Sequence, residues 1–214
     1  LNNLSEATRE ELSLFAADLL NQIHSYFGTS KVEVTKDAAK IVHDHVSTSK
    51  TNGVKGHDLA NLNKVLAQYG ISSGTEENIG LNGGAGAGQI VTKAELKRLV
   101  YNAIVNMMFN ASEDYENNEN NEFFHASSLS GLFSPGAKTT YLGVGTSFKD
   151  DYWQIVNFLL IHDKGLTGSS FNRTVLANPF DSQELLKTQK EAQSTYNAAK
   201  QDDERAQADK SKAE

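Results

Sequence analysis

The chain has 214 residues, 38% of them hydrophobic, with ten Phe and seven Tyr, which is enough apolar mass for a real core in one or two domains. A formal charge of -7 and a pI near 5.4 leave no basic stripe for phosphate, so no nucleic-acid partner is expected. No run reaches the roughly 18 consecutive apolar residues of a membrane span, so no direct membrane insertion is expected, and the lack of Cys removes thiol nucleophiles, thiolate ligands and disulfides together.

The sequence opens at Leu1 without a Met and reads as an excised domain whose targeting segments lie outside it. Thr8 and Glu11 have capping-box spacing, and Leu12, Phe15, Ala16, Leu19, Ile23 and Phe27 recur at helical spacing until Gly28. The extended piece KVEV leads to Thr35, a cap for a second helix with Ala38, Ile41, Val42 and His45 on one face, and TSKTNG ends that helix. A third helix follows in HDLANLNKVLAQYG, with His57 in its first turn, Leu59, Leu62, Leu66 and Tyr69 on one side, and Gly70 closing it.

GTEENIG, residues 74–80, sets two carboxylates and an amide between glycines and reads as a polar turn before the flexible loop GGAGAG. Thr92 and Glu95 then open the helix with the strongest apolar stripe (Leu96, Leu99, Val100, Ala103, Ile104, Met107, Met108), expected to be the central one. NASEDYENNENNE, residues 110–122, is too polar to bury and reads as a solvated loop. TTYLGVGTSF and DYWQIVNFLLIH, on either side of KDD, predict an antiparallel hairpin at the centre of a sheet, because WQIVNFLL is too continuously apolar to face water. Trp153 reads as a packing residue.

After Pro179 the composition shifts to Ala, Gln, Lys, Asp and Glu without glycine. Leu185, Gln189, Ala192, Tyr196, Ala199 and Ala206, interrupted by Asp203, space a weak heptad. The expected organisation is a domain over 1–178 and, over 179–214, the start of a helical coiled-coil stalk, with a solvated single helix as the alternative.

Chemistry centres on His57, Glu77 and His125. Two imidazoles and a carboxylate suit a divalent-metal set or an acid/base set; the alternative is that each His caps a helix or binds a carbonyl. His43 and His45 form H-x-H, but positions two apart on a helix diverge, so a surface His and a part-buried one are expected rather than a chelate. His24 and His162 have no partner nearby in sequence. GGAGAG lacks the Gly-Lys-Ser/Thr of a phosphate loop, and no G-x-S-x-G elbow occurs. Ser127 and Ser128 are the hydroxyls nearest His125 in sequence; Asn110-Ala-Ser and Asn172-Arg-Thr match a glycosylation sequon without supporting context.

Read in order, His57 in GHDLAN, Glu77-Asn78 in EENIG, the helix AIVNMMFN, His125 in FFHASSL and the hairpin YLGVGTSFKDDYWQIVNFL resemble the CAP superfamily in a Cys-free bacterial form. The likeness covers roughly residues 5–178. It implies an α+β fold, a three-layer α-β-α sandwich with a small, mostly antiparallel sheet, here followed by a long C-terminal helix or coiled-coil segment. It also makes His57, Glu77 and His125 catalytic, with a divalent cation (Zn, Mg or Ca) held by His57 and His125 together with Glu77, and leaves Glu76 as a solvated neighbour of Glu77. The sequence departs from the family pattern at Glu76, where the family has Gly, at Met107, where it has an aromatic, at Phe124, where it often has Gly, and near Asn110, where its second glutamate falls; Glu113, Asp114 and Glu116 are the stand-ins.

The stalk-like tail and IHDKGLTGSSFNRTVLANPF further resemble Gram-positive plasmid surface-exclusion proteins. That resemblance implies an extracellular, cell-wall-anchored protein with its anchor outside this sequence. Its head would be an endopeptidase acting on a surface adhesin or another cell-surface protein, limiting aggregation and the uptake of a conjugative plasmid already held. A homodimer through the stalk goes with it. The alternatives are a non-enzymatic binding or steric module whose cleft is vestigial or holds a structural metal, and a lipid- or sterol-binding module.

Overall fold

The computed structural model describes residues 4–49, 56–83, 92–109, 123–149 and 153–213. The chain divides into two units, Leu1–Asn178 and Pro179–Glu214. In the first, the order is α1 (Glu6–Phe27), β1 (Val32–Glu33), α2 (Lys36–Thr48), α3 (Leu59–Ala67), β2 (Thr75–Gly83), α4 (Lys93–Phe109), α5 (Phe124–Leu129), β3 (Thr140–Lys149) and β4 (Trp153–His162). α1, α2, α3 and α4 start where short polar side chains take up orphan backbone donors, while α5 follows Phe123 with no side-chain cap. Thr35 Oγ1 accepts from Ala38 N at 3.1 Å to open α2. At α4 the capping box closes both ways: Thr92 N donates to Glu95 Oε2 at 3.0 Å and Glu95 N to Thr92 Oγ1 at 3.2 Å. α1 begins earlier than its Thr8/Glu11 pair suggests, since Ser5 Oγ is the cap and accepts from Thr8 N. Glu11 pairs instead with Lys93 and Lys97.

The strands order β1-β3-β4-β2, with β1 parallel to β3 and the other pairs antiparallel. The hairpin is central, and Leu142, Val144, Ile155, Val156 and the run Phe158–Ile161 are at most 1% exposed. On one face, Ile41, Val42 and Val46 of α2 and Leu62 and Leu66 of α3 pack against Leu159 and Ile161. Each such fully buried Leu or Ile contributes about 2 kcal/mol through apolar area removed from water. α2 lies so close to β3 that a Cβ on Gly143 would sit 2.1 Å from the Ala38 carbonyl oxygen, so the backbones can approach only because that residue has no side chain. α4 and α5 cover the opposite face of β2, alongside α1. The result is the expected α+β arrangement of a sheet between helical layers.

Three readings of the sequence are corrected here. GTEENIG is not a turn: from Thr75 it is strand β2, in register with β4 from Thr75↔Ile161 to Gly83↔Trp153. Its polar residues find partners on both faces, which hides a strand whose backbone is fully laddered on one side. The Gly74 turn that precedes it has φ 72, the left-handed value glycine tolerates. α4 lies over edge strand β2 rather than centrally, with Gly80 making room for Ala103, and Met107 and Met108 are not buried. Leu59 is exposed rather than on the buried side of α3, whereas Gly70 does close that helix: at φ 71 its N donates to Ala67 O at 3.1 Å, and Ile71 N donates to Leu66 O at 3.1 Å. The loop GGAGAG, the 110–122 loop with Glu113, Asp114 and Glu116, most of TSKTNG and the Trp153 side chain lie outside what is described.

The second unit is the helix α6 (Ser182–Ala213), exposed along all of 185–207. Of its apolar seam residues, Leu185 and Tyr196 are more than half exposed. Among the described residues no helix is long and apolar enough to cross a membrane.

Candidate functional site

Successive side chains of a strand point to opposite faces. β2 therefore sends Glu77 toward α2 and α3, and Glu76 and Asn78 toward α4 and α5.

On the first face Glu77 is almost fully enclosed, its side chain 3% exposed. His45, on the apolar stripe of α2 and 1% exposed, donates through Nε2 to Glu77 Oε1 at 2.8 Å, while its Nδ1 lies 2.8 Å from Asn61 Oδ1 of α3. Asn157 of β4 donates through Nδ2 to the same Glu77 oxygen, and its own buried Oδ1 has no partner among the described residues. His57 Nδ1 donates to Glu77 Oε2 at 2.6 Å. What places His57 is its neighbour Asp58, the N-cap of α3: Asp58 accepts from Asn61 N at 3.1 Å and from Ser49 Oγ at 2.6 Å, pinning the chain entering α3 to the end of α2.

Burial is the largest single influence on Glu77 and opposes its ionisation, but the hydrogen bonds and charges of His45 and His57 together outweigh it and bring its pKa down to about 2. Reciprocally, the hydrogen bond to Glu77 raises the His57 pKa above its ordinary value, against an opposing contribution from burial.

The second face carries a different chain of bonds. Glu76, expected as a solvated neighbour, is 12% exposed in its side chain and held from three sides. His162 Nε2 donates to Oε1 at 2.8 Å, Ser134 donates to the same oxygen, and Ser128 Oγ donates to Oε2 at 2.6 Å. Burial disfavours the Glu76 carboxylate most strongly of the single effects, yet these hydrogen bonds together lower its pKa. Asn78 Nδ2 donates to Ser128 Oγ at 2.9 Å, and His125 Nδ1 lies 2.9 Å from Asn78 Oδ1. Burial, with a smaller contribution from the charge of His57, lowers the His125 pKa.

His57, Glu77 and His125 line one cavity of about 340 Å³ together with Glu76 and Asn78. Phe124 and Phe133 stand at its edge, 56% and 55% exposed, with ring centroids 6.1 Å apart in an edge-on contact. The three expected residues thus share a cavity, but they do not form a single bonded triad: His57 binds Glu77, and His125 binds Asn78. Both histidines spend Nδ1 on these bonds, and neither Nε2 has a partner among the described residues or is a buried orphan.

As arranged, these atoms do not fit a divalent cation. Both oxygens of Glu77 are engaged by His45, Asn157 and His57, and among the described residues no group of three His, Cys, Asp or Glu is placed to hold a metal ion.

Sequence reasoning missed the parts played by His45, Asn157, Glu76, Ser134 and His162, and offered Ser128 only as a hydroxyl near His125. His45 carried a usable signal, an imidazole on the buried stripe of α2, since a buried polar group needs a partner. His162 became legible only once Glu76 was placed on a strand. His24 is structural, with its ring nitrogens 2.5 Å from Ser30 O and 2.9 Å from Leu129 O.

No protein-family model matches the chain, and no curated protein matches it in sequence. Among solved structures, the CAP domain of Enterococcal PrgA superposes with a TM-score of 0.65 over 87% of this chain and 75% of that one, at 23% sequence identity. At that identity the likeness is one of architecture: the fold of this chain is that of a CAP domain.

Proposed function

We propose that residues 1–178 form an extracellular peptide-hydrolysing head, followed by the 179–214 stalk, in a cell-wall-anchored surface protein. Its substrate is a surface adhesin or another cell-surface protein, and its cleavage limits cell aggregation and conjugative plasmid uptake, that is, surface exclusion. The stalk associates with that of a second copy through its heptad seam.

The observation that carries the enzymatic reading is that His57 and His125, from separate segments, line one cavity with Nδ1 tied down and Nε2 uncommitted. Their surroundings push them apart. The Glu77 carboxylate favours the cationic form of His57, and burial favours neutral His125. In this scheme neutral His125 takes a proton through Nε2 from a water that attacks the peptide carbonyl. His57 as imidazolium donates from Nε2 to the developing oxyanion and then protonates the leaving amine, after which His125 passes its proton to solvent and His57 takes one up from solvent, restoring both rings. Glu77 holds and charges His57 without touching substrate, and no step is routed through a metal ion.

The experiment is hydrolysis of a peptide library and of isolated surface adhesins by the whole chain, compared with His57→Ala and His125→Ala. Each variant loses a factor of about 100 or more with its thermal transition retained. Rates unchanged in both variants contradict the reading. A second reading, a binding or steric module with a vestigial cleft, is favoured by the saturation of Glu77, whose oxygens already serve three side chains as in a structural anchor. It predicts that aggregation between cells responds to neither substitution.

A further inference from the structure

We propose that Glu76, acting through Ser128 and Asn78, is a positioning residue for His125: it dictates which ring nitrogen carries the proton and so leaves Nε2 as the proton acceptor in the cavity. This rests on the reading of His125 as the base.

The inference follows from the direction of each hydrogen bond. An ionised carboxylate only accepts. Ser128 therefore donates its single hydroxyl proton to Glu76 Oε2 at 2.6 Å, which leaves its oxygen to accept. The group facing that oxygen is the Asn78 side-chain amide, 2.9 Å away, so its NH₂ must point at Ser128 and its carbonyl at His125. A carbonyl 2.9 Å from Nδ1 demands a proton on Nδ1, and the neutral ring then carries its lone pair on Nε2.

The other end of the chain is fixed in the same sense. The Glu76 carboxylate can only accept, so His162 presents Nε2–H to it at 2.8 Å, with Nδ1 of the same ring 2.9 Å from Thr140 Oγ1. Asn78, Ser128 and His162 are 2%, 6% and 3% exposed, so water has little access to reverse these bonds.

The test reads the tautomer directly, from long-range ¹⁵N–¹H spectra of the whole chain at a pH well above the ordinary histidine value of 6.5. The wild type shows His125 in the Nδ1–H form. Ser128→Ala removes one hydroxyl from α5 and substitutes a good helix former. It frees the Asn78 amide to turn, and His125 moves toward the Nε2–H form. Ser128→Ala with Asn78→Asp, whose carboxylate can only accept, restores Nδ1–H. Asn78→Leu, probing the same link from its other side, also releases Nδ1–H. Peptide hydrolysis falls about tenfold in Ser128→Ala and recovers in the double variant, the size usual for groups that orient a ligand from behind.

A His125 tautomer unmoved by Ser128→Ala, or one that the added aspartate does not restore, overturns the proposal. Because the tautomer is read without substrate, a shift that appears and reverts in a protein with no hydrolytic activity leaves the positioning chain standing and rejects the peptidase reading instead.

Discussion

Glu77 stays ionised against its own burial because two imidazoles and an amide are aimed at it. Its folded pKa, about 2, lies below the ordinary 4.5, so the stability it contributes is complete above 4.5 and is lost as pH falls from there toward 2. The shift corresponds to about 3 kcal/mol at most, counted once for the whole cluster. His57 acts in the opposite sense: its raised pKa gives stability present below 6.5 that is lost as pH rises through the folded value. Glu77→Gln is expected to cost about 3 kcal/mol near neutral pH, because it leaves buried His45 facing an uncharged partner, and to flatten the acid limb of the stability curve. Urea unfolding of both proteins across the acid range checks this; parallel acid limbs would contradict it. His57, Glu77 and His125 were legible in sequence through the order of their motifs. His45 was not, because the H-x-H pattern raises only the question of chelation, whereas the imidazole's actual role is to reach a carboxylate on another element.

At the scale of elements, the helices and the hairpin were legible because caps and periodicity act locally. Thr35 and Thr92 cap the helices their spacing announces, and the continuous apolar run of β4 is central in the sheet. β2 was not legible. A strand announces itself by alternation of apolar and polar residues, and here Glu76, Glu77 and Asn78 are polar on both faces because each face supplies partners from residues far along the chain. Missing the strand cost the site its logic, since only alternation explains why adjacent glutamates serve different histidines. α6 has the reverse character, a seam visible in sequence whose residues are exposed in the single chain. The stalk proposal pairs this seam with that of a second copy. Sedimentation equilibrium is expected to show a dimer whose association weakens at least tenfold in Leu185→Glu with Tyr196→Glu; a monomer at every concentration would contradict the stalk proposal.

At the scale of the molecule, the first unit brings three remote segments to one place: the entry to α3 carries His57, edge strand β2 carries both carboxylates, and α5 carries His125. The sheet separates the two supporting networks, so one histidine is governed by a direct carboxylate contact and the other by burial and a neutral amide. The surroundings shift the two imidazoles in opposite directions within one cavity, as the proposed acid and base working on one peptide bond require. The most direct measurement is an NMR titration of both rings in the whole chain. His57 is predicted to titrate above 6.5 and His125 below it, with His57→Ala moving the His125 midpoint upward by removing a neighbouring positive charge. Midpoints in the reverse order, or a His125 midpoint indifferent to His57→Ala, would contradict a shared acid/base site.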